Sequence, residues 1–320
     1  MKNLVSRLKL RHFSVLLAIS RLGSMQKAAD ALNIGQSAVS KSIAELEETV
    51  GAQLIDRDAL GAKPTVAGQV LIRHGEVIAT AIQRATDELA AVLRGEAGQL
   101  NVGIFGPLTW WDVAAKAIAD FRNECPRVKI SVTEGPMDRL LGELGDGALD
   151  VVIGRLSAIY ERDNFDVQIL QQDTPQFVCR REHPLLKEET VQLEELVRYP
   201  WILPAPPSLL RMQVEHMVRD TIGTLPHTIS SLSYALNFAL VSQTDAIALI
   251  SECTRRRVTE AFGVATVPFT LAVSLGPLVS VTRTGHGASP FTSAFQLRIK
   301  DLLRDADSAK PSTSAHNQAS

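Results

Sequence analysis

Apolar residues recur at helical spacing through residues 10–94. Beyond residue 99 they fall into short alternating runs separated by helical segments. Leu10, Phe13, Leu16 and Leu17 form the stripe of a first helix. Ser24 then stands where an N-cap is needed. It opens a short helix in which Ala28, Ala29 and Leu32 share a face, and Asn33-Ile34-Gly35 breaks that helix. In the helix that follows, Val39, Ile43, Leu46 and Val50 recur as a buried stripe, leaving Gln36, Ser37, Ser40, Lys41 and Ala44 on the opposite face. That face is short and polar, so it suits close approach to a major groove: small residues admit the backbone, while Gln, Ser and Lys offer groups for base edges and phosphates. Between residues 52 and 64 the chain shortens into turn residues with Arg57, Gly61 and Lys63, which fits a two-stranded wing over a phosphate backbone.

From 65 to about 94 no proline occurs. Gly75, Ile82 and Leu89 repeat at one heptad position, and Leu71, Ile78, Ala85 and Val92 at the other. A helix of roughly thirty residues spans ~45 Å, longer than a small wing domain can cover, so this pattern predicts a pairing seam. The alternative is a helix packed on its own domain. Gly95-Glu96-Ala97-Gly98 reads as a hinge. After it, strands at 100–105, 128–133 and 150–153 alternate with helices at 113–123, where Ala117, Ile118 and Phe121 point inward, and 137–144. The alternation repeats through 176–180, 193–197, 201–203, 209–220, 231–242 and 246–250. A strand at 277–283 and a helix at 290–303 close the series, so two α/β lobes are expected.

Charge sharpens the reading of the N-terminal part. Lys2, Arg7, Lys9, Arg11, Arg21 and Lys27 all precede the first acidic residue, Asp30. Residues 1–65 carry nine Lys or Arg against six Asp or Glu, a net of +3 in a chain of −2 overall. At 320 residues and 45% hydrophobic, the composition is that of a soluble globular protein. No apolar run reaches the ~18 residues a spanning helix needs, and no cleavable leader is evident, so a cytoplasmic location with no membrane partner is expected. Cys125, Cys179 and Cys253 are too scattered for a metal site or a disulfide framework and read as buried free thiols. No metal or cofactor is expected.

The run GSMQKAADALNIGQSAVSKSIAELEETVGAQLIDRD with its KPTVAG exit resembles the winged helix-turn-helix of the LysR-type transcriptional regulators. The resemblance rests on Ala28-Ala29-x-x-Leu32, Gln36-Ser37, Ser40, Ile43-x-x-Leu46-Glu47, Gly51, Leu54, Arg57 and Pro64-Thr65-x-x-Gly68. Ala38, Ile55 and Val66 depart from it, standing where Pro, Phe and a polar residue are usual. The remainder resembles the family's effector domain, a two-lobed module similar to periplasmic solute-binding proteins. The resemblance implies a winged helix-turn-helix at 1–65, a dimerising linker helix at 66–95 and an effector domain at 96–305, followed by a disordered tail at 306–320. Within the effector domain, lobe 1 would take about 99–170 and 275–305, and lobe 2 about 171–274, with crossings near Gln171 and Ser274. It also implies promoter DNA, a small-molecule effector, a homo-oligomer (dimer or tetramer) and RNA polymerase as partners. The expected DNA contacts are Ser24, Gln26, Gln36, Ser37, Ser40, Lys41, Arg57, Lys63 and Thr65.

In doubly wound sheets, ligands bind beyond the carboxyl ends of strands. That rule selects Gly106, Pro107, Leu108, Thr109 and Trp110 after the first strand, with at most one of Trp110 and Trp111 facing a cleft. It also selects the Gly154-Arg155 turn, Pro204 and Ser208 with Arg211, and Ser230 with Ser231. Arg155 and Arg211 read either as bidentate carboxylate binders or as structural ion pairs. Gly154-Arg155-Leu156 together with Trp201-Ile202-Leu203-Pro204 resembles the branch of sugar-binding-protein and protocatechuate-pathway regulators, which points to a sugar or an aromatic or organic acid. None of the seven histidines has metal-ligand spacing, and no GxSxG or phosphate loop occurs, so an enzyme is not expected. Two alternatives remain in view: a two-lobed binding protein, and a ligand-independent architectural DNA binder.

Overall fold

The computed structural model describes residues 7–58, 61–93, 98–156, 164–206, 208–271, 273, 276–285 and 289–308. Residues 95–97 of the expected hinge, the return crossing at Ser274 and residues 309–320 of the expected tail lie outside them. The chain divides into two compact units, one formed up to residue 94 and the other by the bulk of the remainder.

In the first unit, α1 (Leu10–Leu22) buries Phe13, Val15, Leu16, Leu17 and Ile19 and ends at Gly23, whose φ of 65° is the left-handed cap. Leu10, expected in the stripe, is 57% exposed: as the first helical residue it has no turn behind it to pack against. Helix α2 (Met25–Leu32) is capped by Ser24 Oγ, which accepts from the Lys27 amide, and closes on Asn33 at φ 53°. Helix α3 (Gln36–Val50) then buries Val39, Ile43 and Leu46, while Val50 is only half-buried. Strands β1 (Ile55–Asp58) and β2 (Gly61–Pro64) form the antiparallel wing, with Arg57 opposite Ala62. Two bonds seat the wing. The Ala62 amide donates to the Gly23 carbonyl at 3.0 Å, and Glu47 Oε1 accepts from the Leu54 amide at 2.7 Å.

Helix α4 (Val66–Leu93) is 28 residues long. Thr65 caps it, its Oγ1 accepting from the Gly68 amide at 3.0 Å and donating to the Gln53 carbonyl. The predicted seam divides along this helix. Gly75 is buried against Phe13 and Leu17, and Leu71 and Ile72 join the core of the first unit, so the first turns pack within their own domain. Ile82 is 43% exposed and Leu89 60%; these apolar positions lie uncovered farther along the helix.

The second unit contains two five-stranded sheets. The first has the order β4-β3-β5-β12-β6, built from β3 (Gly98–Phe105), β4 (Val128–Gly135), β5 (Val151–Arg155), β6 (Phe165–Gln171) and β12 (Leu278–Arg283). Strands β4 and β5 run parallel to β3, and β12 runs antiparallel to both β5 and β6. Helix α5 (Asp112–Glu124) and the last helix pack on one side, with Phe121 edge-on to Phe295. Helix α6 (Met137–Gly145) packs Met137, Leu140 and Leu144 against Val152 and Val279.

The second sheet has the order β11-β7-β10-β8-β9. Its strands are β7 (Pro175–Arg180), β8 (Trp201–Leu203), β9 (Thr228–Ser230), β10 (Ile247–Ser251) and β11 (Val264–Thr266). Helices α7 (Leu193–Leu196), α8 (Leu209–Thr221), α9 (Tyr234–Gln243) and α10 (Arg255–Phe262) surround it. The chain thus leaves the first sheet after Gln171 and enters the second at Pro175.

Helix α11 (Pro290–Ser308) carries regular structure through residues 306–308, three residues into the stretch expected to be disordered. Strands β6, β9 and β11 and helix α10 were not anticipated. Three of them are edge strands, two with only three residues, and α10 buries only Val258 among its described positions, so little hydrophobic pattern marks them. The segment expected from residue 231 becomes helical only at Tyr234, after Ser233 caps it.

Candidate DNA-reading face and effector cleft

On α3, Gln36, Ser37, Ala38, Lys41 and Ala44 are exposed and Ser40 is half-buried, because the 3.6-residue period sends Val39, Ile43 and Leu46 inward. Lys63 is exposed on the wing, opposite Asp56 in the strand register. Ser24 and Thr65 have structural duties as caps. Gln26 is exposed and donates to Asp30 Oδ1 at 2.9 Å. Arg11, not among the expected contacts, reaches Glu45 on α3 at 2.8 Å. That bond holds the Glu45 carboxyl below the usual carboxylate range, so the carboxylate charge on the recognition helix is offset.

In the second unit, Pro204, Ser208, Arg211, Ser230 and Ser231 come together at the carboxyl ends of β8 and β9. Ser208 Oγ caps α8 by accepting from the Arg211 amide. The Arg211 guanidinium donates to Glu215 Oε1 at 2.7 Å, Ser230 Oγ at 2.7 Å and the Pro204 carbonyl at 3.2 Å. The Ser231 amide donates to the Leu203 carbonyl, and its hydroxyl accepts from the Ser233 amide at 3.1 Å.

On the opposing lobe, Gly106–Trp110 forms a single 3₁₀ turn after β3. Thr109 is exposed and donates to the Gly106 carbonyl at 2.7 Å. Gly106 sits beside the carboxylate of Glu134, and a Cβ there would lie 3.2 Å from Oε1. Leu108 is fully buried in the first lobe's core and Trp111 nearly so; Leu108, expected in the cleft, is therefore a packing residue. Trp110 reaches across to the second lobe, its ring 5.0 Å from Phe262 and 6.2 Å from Phe238.

Arg155 departs most from expectation. Gly154-Arg155 is not a turn but the end of β5, and Gly154 is required there because a Cβ would overlap the Met137 sulfur. The Arg155 side chain is 8% exposed. Nη2 donates to Asp173 Oδ2 and to Ser251 Oγ, and Nη1 donates to the Gly276 carbonyl at 2.8 Å. The guanidinium is therefore committed inside the protein and is not an open carboxylate anchor. No sequence spacing marks its partners, which lie 18, 96 and 121 positions away.

Three other buried groups surround this region or the second core. Burial, opposed by Arg155, pushes the Tyr234 phenol up to about 12. Burial and then Asp173 push the Cys253 thiol up to about 12, and burial does the same for Cys179. Thiols held protonated in this way are poor nucleophiles. Among the described residues no His, Cys, Asp and Glu group is arranged to hold a metal, and no helix is long and apolar enough to cross a membrane.

A winged reading head followed by a two-lobed α/β unit with hydroxyl groups at its strand ends defines a ligand-responsive DNA-binding regulator. Residues 10–69 match the family described as bacterial regulatory helix-turn-helix protein, lysR family, and residues 93–304 match the LysR substrate binding domain. The chain belongs to the LysR family of transcriptional regulators. It is 30% identical over 277 residues to the HTH-type transcriptional regulator GbpR of Azospirillum brasilense, covering 86% of this chain and 80% of that protein. It is 31% identical over 247 residues to the HTH-type transcriptional regulator PcaQ of Agrobacterium fabrum, covering 77% and 79%. The fold is shared with the crystal structure of CbnR, a LysR family transcriptional regulator, at TM-score 0.64 and 19% identity over 92% of this chain and 99% of that one. Full-length BenM shares it at TM-score 0.54 and 20% identity over 96% and 100%. The protein is thus a DNA-binding transcriptional regulator with an effector-binding domain, of a family that works on promoter DNA as oligomers.

Proposed function

We propose that this regulator answers to a neutral, hydroxyl-bearing small molecule, of the size and polarity of a sugar, held between the two lobes. The observation that carries this reading is the commitment of both candidate cations: Arg155 to Asp173, and Arg211 to Glu215. What remains at the strand ends is the hydroxyls of Thr109, Ser208, Ser230 and Ser231 with nearby backbone amides. Each serine already accepts a bond from the protein and keeps its own proton to donate. Glu134 is exposed at the end of β4 without an ion-pair partner among the described residues, and it opposes an anion further. The α8 and α9 N-termini favour negative charge by only ~0.3–1 kcal/mol each. Desolvating an unpaired carboxylate costs several kcal/mol, so the neutral ligand is preferred to an aromatic or organic acid.

Lobe closure on the ligand would change how the paired reading heads, joined through α4, hold promoter DNA. Regulation then needs differential affinity and no catalysis, and it takes place in the cytoplasm where the promoter lies. The DNA contacts in this reading are Gln36, Ser37, Ser40 and Lys41 at bases, with Arg57 and Lys63 at phosphates. Calorimetry of the full-length protein with a panel of neutral monosaccharides and a panel of aromatic and aliphatic carboxylates tests the ligand class. Binding confined to the neutral sugars, followed by an altered footprint, is expected. Binding confined to carboxylates would overturn it.

A further inference from the structure

The Asp173 carboxylate lies at the junction of every segment that joins the two lobes. It follows the end of β6 on the outgoing crossing and accepts from Arg155 at the end of β5 and from Ser251 at the end of β10. Its other oxygen accepts from its neighbour, the Thr174 amide, at 3.0 Å and from the Cys253 amide at 3.2 Å. Arg155 ties in the return crossing through the Gly276 carbonyl at 2.8 Å. Both charged side chains are nearly excluded from solvent.

At the other end of the lobe interface the contacts are of a different kind. Trp110 rests on Phe238 and Phe262, and the solvent-facing Arg256 and Arg257 reach Asp112 at 2.7 and 3.5 Å. Exposed ion pairs of that kind contribute little, whereas an unpartnered buried charge is not tolerated. A hinge whose strands are bonded to one buried carboxylate has a preferred angle. A hinge without that anchor is set only by the contacts at its mouth.

We propose that the Arg155–Asp173 pair is the positioning element of the effector cleft. It holds both crossing strands and the end of β10 in one arrangement and so sets how far the lobes stand apart before any effector arrives. This rests on the effector reading above for its purpose but not for its test, because no effector is added.

The experiment uses the full-length protein with Asp173→Asn, Arg155→Met and Arg155→Lys. Trp110 serves as the native reporter of the lobe contact, because Trp111 and Trp201 are buried within single lobes; Trp110→Phe identifies its emission. Asparagine keeps an acceptor for the Thr174 and Cys253 amides, so faster hydrogen exchange there reports lobe opening and not a missing local bond. Expected are a red-shifted Trp110 emission and roughly tenfold or greater acceleration of exchange at residues 173–176 and 251–254 in Asp173→Asn and Arg155→Met. The unfolding midpoint should stay cooperative. Arg155→Lys, which can still pair with Asp173, should keep an emission near that of the unmodified protein.

Unchanged emission and exchange in folded Asp173→Asn and Arg155→Met would overturn the proposal. So would Arg155→Lys behaving like Arg155→Met, since charge pairing would then not be the cause. Loss of cooperative folding in both Asp173→Asn and Arg155→Met would also overturn it, because the pair would then be needed for folding and not for placement. Any of these leaves the effector reading standing, and a ligand panel without binding leaves the hinge result standing.

Discussion

Gly68 of the linker helix passes so close to the carbonyl of Leu54 that a side-chain carbon at position 68 would overlap the oxygen. The helix can leave the wing at this angle only because residue 68 has no Cβ, while the Leu54 carbonyl is also the acceptor of the Thr65 amide at 2.9 Å. Gly68→Ala must displace backbone, not a flexible side chain. It should destabilise the first unit by ~1–3 kcal/mol, as overpacking does elsewhere. Differential scanning calorimetry should show the lower-temperature transition moving down, with weaker specific DNA binding; an unaltered first transition would show that the helix exit can slide at no cost.

The division of α4 separates two kinds of apolar position. Leu71 packs into the core of its own unit, so Leu71→Lys should lower stability. Ile82 and Leu89 are exposed along the helix. Replacing both with Lys should leave the fold intact and release monomers, as buried charge in a coiled-coil seam does. Multi-angle light scattering decides the matter, and an assembly of unaltered mass would show that the pairing surface lies elsewhere.

At the DNA, two residues should fail in different ways. Gln36→Ala should cost ~1–3 kcal/mol on the cognate operator and relax preference at one base pair. Lys63→Ala should weaken all sequences alike and reduce the salt slope by about one. Titrations on operator and random duplexes at several salt concentrations separate them; equal losses on both duplexes for Gln36→Ala would remove Gln36 from base reading.

Stability should fall on both flanks of neutrality for identifiable reasons. The Cys179 and Cys253 thiols and the Tyr234 phenol are each held up to about 12 in the folded protein. Their contributions are complete below their ordinary values and are lost as pH rises toward about 12. His183 has the opposite sense. Burial lowers its pKa while Nδ1 accepts from the Leu185 amide, so its contribution is present above the ordinary histidine value and lost as pH falls below it. Thermal midpoints should decline above about pH 9, and more gently in Cys253→Ser. A level midpoint to about pH 11 would contradict this account.

The reading head was legible because everything that makes it is local. Ser24, Asn33, Gly35 and Gly51 punctuate the helices within a turn of where they act, and Val39, Ile43 and Leu46 are separated by three or four residues on one face. The alternation of strands and helices beyond residue 98 was legible for the same reason. Strands β6, β9 and β11 were not: edge strands bury little, and the burial pattern that would mark them hardly exists.

The sequence by itself determined the two-part organisation, the identity of the recognition helix and the family, since periodicity, caps and a dense motif are properties of neighbouring residues. Only the tertiary structure decided what Arg155, Arg211, Trp110 and the early positions of α4 do. A guanidinium after a strand reads the same whether it faces an open cleft or a buried carboxylate, and Asp173, Ser251 and Gly276 meet Arg155 only once both sheets have formed and the chain has crossed between them. In the same way, an apolar seam position reads the same whether α1 or a second copy covers it. The partner of a buried charge or a hydrophobic face is set by which surfaces the fold brings together, and that information is spread across the whole chain.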